Sequence, residues 1–131
     1  EWVKNPVSPG PLGLLPDPEH PIFADFPTDL HTNWQWYSII KNSRSLILDD
    51  TPANYRPLVQ VIDNLERNHK LGMIFEFQVG SGKLLVCTAQ LQGLLHEPEA
   101  NYLYRSIVNY MQSEAFDPQQ AISEKQLEKL L

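Results

Sequence analysis

An α/β layered domain with a mixed sheet and flanking helices is what the sequence predicts, on three observations. Met73, Phe75, Phe77 and Val79 alternate with Ile74, Glu76 and Gln78, the period-two pattern of a strand with one wholly apolar face. Gly80-Ser81-Gly82 can take the positive φ of a tight hairpin, and Lys83-Leu84-Leu85-Val86-Cys87-Thr88-Ala89 returns apolar on both faces, as a strand covered on both sides would. Ala100, Leu103, Tyr104, Ile107, Val108 and Met111 then recur at three-to-four spacing, the buried stripe of a helix of about four turns. The hairpin, residues 71–89, is the centre of the expected sheet.

The remaining elements follow in order. Residues 1–27 hold seven of the eleven prolines, which remove amide donors and force extended neighbours, so no regular helix forms there. Trp2, Leu12, Leu14, Leu15, Ile22 and Phe23 make this segment an irregular strap pinned to the core rather than a free linker. Its abrupt start at Glu1 suggests a fragment of a longer chain. Thr32 and Gln35 form a capping box ahead of Trp36, Tyr37, Ile39 and Ile40, which predicts a helix over 33–42. Leu46-Ile47-Leu48 is a short buried strand closed by Asp49, Asp50 and Pro52, and Leu58-Val59-Gln60-Val61-Ile62 is another, started by Pro57. Residues 64–70 are a polar connection, either a loop or one helical turn. Glu97-Pro98-Glu99 opens the long helix with the acids and proline that an amino terminus favours. Ser123 and Gln126 make a second capping box, with Ile122 and Leu127 as its staple, for a last helix whose Leu127, Leu130 and Leu131 must dock on something. The expected organisation is a strap (1–27), an α/β core (28–118) and a carboxy-terminal helix (119–131).

Composition bounds the function. The 131 residues suffice for one domain with a core, 42% hydrophobic and 20% charged. A net charge of −6, with ten scattered basic residues, argues against a nucleic-acid partner. No apolar run approaches the ~20 residues of a membrane span, and no signal-peptide pattern opens the chain. The single cysteine, Cys87, excludes an internal disulfide and a cysteine-based metal site.

Few motifs carry chemistry. Gly80-Ser81-Gly82-Lys83 lacks the leading glycine and the trailing Ser or Thr of a phosphate loop, with Phe77 and Leu84 at those positions, and is a hairpin turn. Cys87 lies mid-strand, an inert buried thiol rather than a nucleophile. His20, His31, His69 and His96 have no i, i+2 or i, i+4 partner, so no metal is expected, and no cofactor either. Asp25, Asp29, Asp49, Asp50, Asp63 and Glu76 could supply paired carboxylates for sugar hydrolysis, yet none stands in a marking context, and Asp49-Asp50 fits a turn. The densest polar and aromatic cluster is Phe26 to Tyr37. Asp29, His31, Asn33, Trp34 and Trp36 are the candidate carbohydrate-binding residues, flat rings for pyranose faces and polar groups for hydroxyls. The competing reading has Trp36 and Tyr37 as core anchors and Asp29 and His31 as ties of a loop, with Trp34 partly exposed.

The set His20-Pro21-Ile22-Phe23, Phe26-Pro27-Thr28-Asp29, His31-Thr32-Asn33-Trp34-Gln35-Trp36, Leu58-Val59-Gln60-Val61-Ile62-Asp63, Arg67-Asn68, Leu71-Gly72 and Gly80-Ser81-Gly82-Lys83-Leu84-Leu85-Val86-Cys87 resembles the carboxy-terminal region of bacterial family 2 glycoside hydrolases. These are β-galactosidase-like enzymes of Bacteroides-type bacteria, and the likeness spans roughly residues 12–118. Catalysis in that family belongs to a (β/α)8 barrel with two glutamates, which takes about 200 residues or more, so no catalytic residue carries over. The resemblance implies a non-catalytic accessory domain, partly glutamine-amidotransferase-like, of a periplasmic or secreted enzyme. Its implied partners are the other domains of the parent hydrolase, an oligosaccharide, or a second copy of the chain. A carbohydrate-binding module is the alternative.

Overall fold

The computed structural model describes residues 13–29, 34–41, 43–63 and 68–131. Among them the chain forms β1 (Gly13–Pro16), α1 (Tyr37–Lys41), β2 (Leu46–Ile47), β3 (Val59–Ile62), β4 (Lys70–Val79), β5 (Gly82–Cys87), α2 (Pro98–Met111) and α3 (Glu124–Leu130). Single 3-10 turns occupy Pro21–Phe23, Trp34–Trp36 and Leu91–Leu94.

The fold is α/β, but its sheet is open and antiparallel rather than mixed. The order is β1-β3-β4-β2, with β5 also on β4. All four ladders run antiparallel. Parallel neighbours need a long crossover, and the one helix lying between strands, α1, joins β1 to β2, which are not neighbours. The single parallel pairing among the described residues is the isolated bridge Gln78–Ala121, reached after α2.

The expected hairpin is present and tighter than a three-residue loop. Val79 pairs with Gly82, so Gly80 and Ser81 alone make the turn. Gly80 takes φ +58° at its first central position, where a type II′ turn calls for glycine. β4 does not keep one apolar face throughout. Val59 pairs with Ile74 and Gln60 with Gly72, so Met73 is an extra residue in a β-bulge. The bulge shifts the phase of the strand. Leu71, Met73 and Ile74 join one core with β3, α1 and α2, whereas Phe75 and Phe77 join a second with Leu48, Tyr55 and Ile122. Gly72 is needed just before it, because a Cβ there would lie 2.6 Å from Leu48 Cδ1 and 3.1 Å from Phe75 Cδ1.

Other expectations shift for local reasons. β5 is a half-buried edge strand, not one covered on both sides: Leu85 and Cys87 lean on the larger core and Val86 on the smaller. The strap contributes a strand, β1, that the prolines concealed; Pro16 ends it at the sheet edge, where its missing N–H costs no ladder bond. Leu14, Ile22 and Phe23 sit in the larger core and Phe26 joins them, whereas Leu15, also expected to pin the segment, is exposed. Trp2 and Leu12 lie outside the described residues, as do Thr32 of the first capping box, residue 42 of the predicted helix and residues 64–67 of the polar connection. Gln35 donates from its amide to the Pro27 carbonyl at 2.7 Å. α2 has Pro98 in its first turn, but its buried stripe is Ala100, Leu103, Ser106, Ile107 and Tyr110. Tyr104 and Val108 are half-buried and Met111 is exposed. The Ser123–Gln126 capping box is complete in both directions. α3 nevertheless buries no residue and reaches the smaller core only through Leu130.

Candidate functional site

The cluster singled out in the sequence divides in the structure. Trp36 is fully buried; its ring meets Phe23 and Phe26 edge-on at centroid distances of 6.1 and 5.2 Å, and its Nε1–H donates to Thr28 Oγ1 at 2.8 Å. That indole is a core anchor with no face left for a sugar. Trp34 is 88% exposed, with its ring 6.2 Å from that of Tyr37, itself 53% exposed. The Lys41 ammonium lies 4.3 Å over the outer end of this pair, on Tyr37. Asp29 is exposed on the segment leading into it, and Thr28 Oγ1 donates to the Asp29 carbonyl. His31 and Asn33 lie outside the described residues. What remains is an outward-facing aromatic surface with a cation at its rim. Tyr37 belongs to it, not to the core.

A second constellation stands where the sheet parts. β3 leaves β4 beyond Ile74, and the segment carrying Ala121 joins β4 only at Gln78. Glu76 falls in the gap. Tyr55 closes its backbone: the phenol accepts from Glu76 N–H at 3.2 Å and donates to the Glu76 carbonyl at 2.7 Å. The Glu76 side chain turns towards α2, where Tyr110 Oη donates to Oε2 at 2.6 Å. His20 approaches from the other side, its Nε2 3.8 Å from Glu76 Oε1 and its ring edge-on to Tyr110 at 5.1 Å.

Each member is held by its own element. His20 caps the Pro21–Phe23 turn, Nδ1 accepting from Ile22 N–H at 3.2 Å, which leaves the proton of the neutral ring on Nε2. Burial lowers the His20 pKa, opposed by the nearby Glu76 and Asp17 carboxylates. Burial, then the bond to Glu76, raises that of Tyr110. The turn is tied to α2 by Ser106, whose hydroxyl donates to the Ile22 carbonyl and accepts from Asp25 N–H. A cleft of about 510 Å³ opens over Glu76 and His20, lined also by Asp17, Asn54, Arg56 and Gln119.

Sequence reasoning named His20 and Glu76 without joining them and passed over Tyr110 and Tyr55. The available signal was Glu76 itself, the one acid of the strand, set between Phe75 and Phe77. Elsewhere, Asp49 and His69 form an exposed clasp: Asp49 accepts from Lys70 N–H and meets His69 Nδ1, both at 2.7 Å. That carboxyl lies below its usual range because of the Lys70 bond first and the His69 bond second. Lys83 Nζ donates to the Phe116 carbonyl at 2.8 Å, a structural use of the hairpin lysine. Cys87 stays on its strand, its thiol pushed up to about 11 by burial, which opposes thiolate chemistry. No cluster of three metal-ligating side chains occurs among the described residues, and none of their helices is long and apolar enough to cross a membrane.

Fold and site thus define a small α/β domain with an open antiparallel sheet, an exposed aromatic pair and a polar cleft at a sheet break. The chain belongs to the family described as a domain of unknown function, DUF8487, whose model matches residues 1–131. No curated protein matches it.

Proposed function

We propose that the chain is a non-catalytic accessory domain of a β-galactosidase-like glycoside hydrolase from a Bacteroides-type bacterium, acting on plant or host glycans in the periplasm or outside the cell. The support is the part that the residues of the resemblance play. His20 caps a turn, Phe23 and Phe26 clasp Trp36, Thr28 accepts a hydrogen bond from its indole N–H, and Gly72 lets Leu48 pass. A pattern made of structural joints is one of a whole domain, not of a reacting site. The glutamine-amidotransferase-like part of the resemblance belongs to the same proposal. Incubation with chromogenic β-galactosides is expected to give no turnover; hydrolysis by this chain alone overturns it.

A second reading, a carbohydrate-binding module, is favoured by the Trp34–Tyr37 surface. A solvent-facing indole beside a phenol matches the apolar face of a pyranose. Titration with oligosaccharides should shift the tryptophan emission of the native chain and leave that of Trp34→Ala unmoved. No shift at millimolar sugar counts against this reading and leaves the accessory-domain proposal standing.

A further inference from the structure

The cleft at the sheet break is separate from the Trp34–Tyr37 surface, and four segments far apart in sequence build it: 17–20, 54–58, Glu76 and 119–120. We infer that it binds a small, neutral, polyhydroxylated ligand of about monosaccharide size, anchored by one hydroxyl between His20 and Glu76.

The anchor follows from the two polar atoms. The His20 tautomer set by Ile22 N–H turns an N–H donor into the cleft at Nε2. Glu76 has Oε2 engaged by Tyr110, while Oε1 takes no hydrogen bond from a described residue. Donor and acceptor stand 3.8 Å apart, too far to bond each other. An oxygen about 2.8 Å from both completes the triangle, provided that it accepts on one side and donates on the other. A hydroxyl does this. An ammonium offers only donors and a carboxylate only acceptors.

The surroundings select the class further. Asn54 and Gln119 add amides that both donate and accept, and Arg56 adds donors. Asp17 and Glu76 place two carboxylates against one guanidinium, an arrangement unfavourable to an anionic ligand. Tyr55, Pro57 and Leu58 supply the apolar wall on which the carbon face of a ring can rest. A volume of about 510 Å³ admits far more than a bridging water.

The test is amide-resolved NMR titration of the 131-residue chain with D-galactose, D-glucose and myo-inositol, and with D-glucuronate as the anionic comparison. At least one neutral compound is expected to shift the amide resonances of His20, Asn54, Arg56, Glu76 and Gln119 saturably, and glucuronate to bind more weakly. Glu76→Gln should weaken that binding roughly tenfold, the scale of one hydrogen bond to a charged group. Asn54→Ala, an exposed change that leaves the fold alone, should weaken it by a smaller factor, and Trp34→Ala should leave it unchanged. The inference is overturned if none of the neutral compounds moves these resonances, if both cleft variants bind as the native chain does, or if glucuronate binds as tightly. Shifts confined to Trp34 and Tyr37 would support the carbohydrate-module reading and overturn this one.

Discussion

Tyr55 repairs a tear in the sheet with one oxygen, standing in for the strand that neither β3 nor the 120–122 segment supplies beside Glu76. Tyr55→Phe keeps the stack on Phe77, at 4.7 Å, and removes only that oxygen. It leaves a half-buried amide and carbonyl without that partner, so we expect a loss of about 1 kcal/mol in urea unfolding. A midpoint equal to that of the native protein would show that water serves the Glu76 backbone equally well. His20 carries a second expectation at this scale. Its folded pKa lies below the ordinary 6.5, so the unfolded chain takes up the proton first as the pH falls. Stability from this group is therefore intact above 6.5 and declines from there down to the folded value. An imidazole titration in the folded protein should have its midpoint under 6.5; one at or above it would mean that Glu76 and Asp17 outweigh burial.

At the level of elements, α2 and α3 differ in what holds them. α2 buries Leu103, Ile107 and Tyr110 and is bolted to the Pro21–Phe23 turn through Ser106. α3 has its capping box and Leu130. Ser123→Ala should cost about 1 kcal/mol locally and appear as faster hydrogen exchange across 124–130, while the amides of α2 keep their protection. Equal acceleration in both helices would show that α3 opens only with the whole domain. Elements that rest on local chemistry were legible in the sequence: the Gly80 turn, the proline start of α2 and the Ser123 box. Those that depend on a distant partner were not. Gly72 beside Met73 hints at an irregularity in the strand, but the bulge itself arises from the register against Gln60 and is not legible without the partner strand. β1 was hidden because proline masks a strand that only an edge position allows. The exposure of Trp34 could be read from its spacing to Trp36, whereas the cleft could not, since its four segments meet only after folding.

For the molecule as a whole, exposed apolar groups compete with charge. Trp34, Tyr37, Ile47, Tyr102 and Leu131 face solvent, the last at 73%, and single large apolar residues of this kind favour association when they gather on one surface. The net charge of −6 opposes it. Salt weakens the repulsion without weakening apolar contact. Sedimentation should therefore show the average mass rising from low to high salt, and less so for a Trp34→Ala, Tyr37→Ala double variant. A monomer at every salt concentration would mean that the exposed groups are too dispersed to meet.

Because the extra residue at Met73 lets one strand serve as the common wall of two interiors, the chain tolerates no change of length between Leu71 and Phe77. Losing a single residue there would send the Phe75 and Phe77 rings towards α2 and drive the Glu76 carboxylate into the space beside Leu48. The spacing along that strand is the gauge that keeps the two interiors apart.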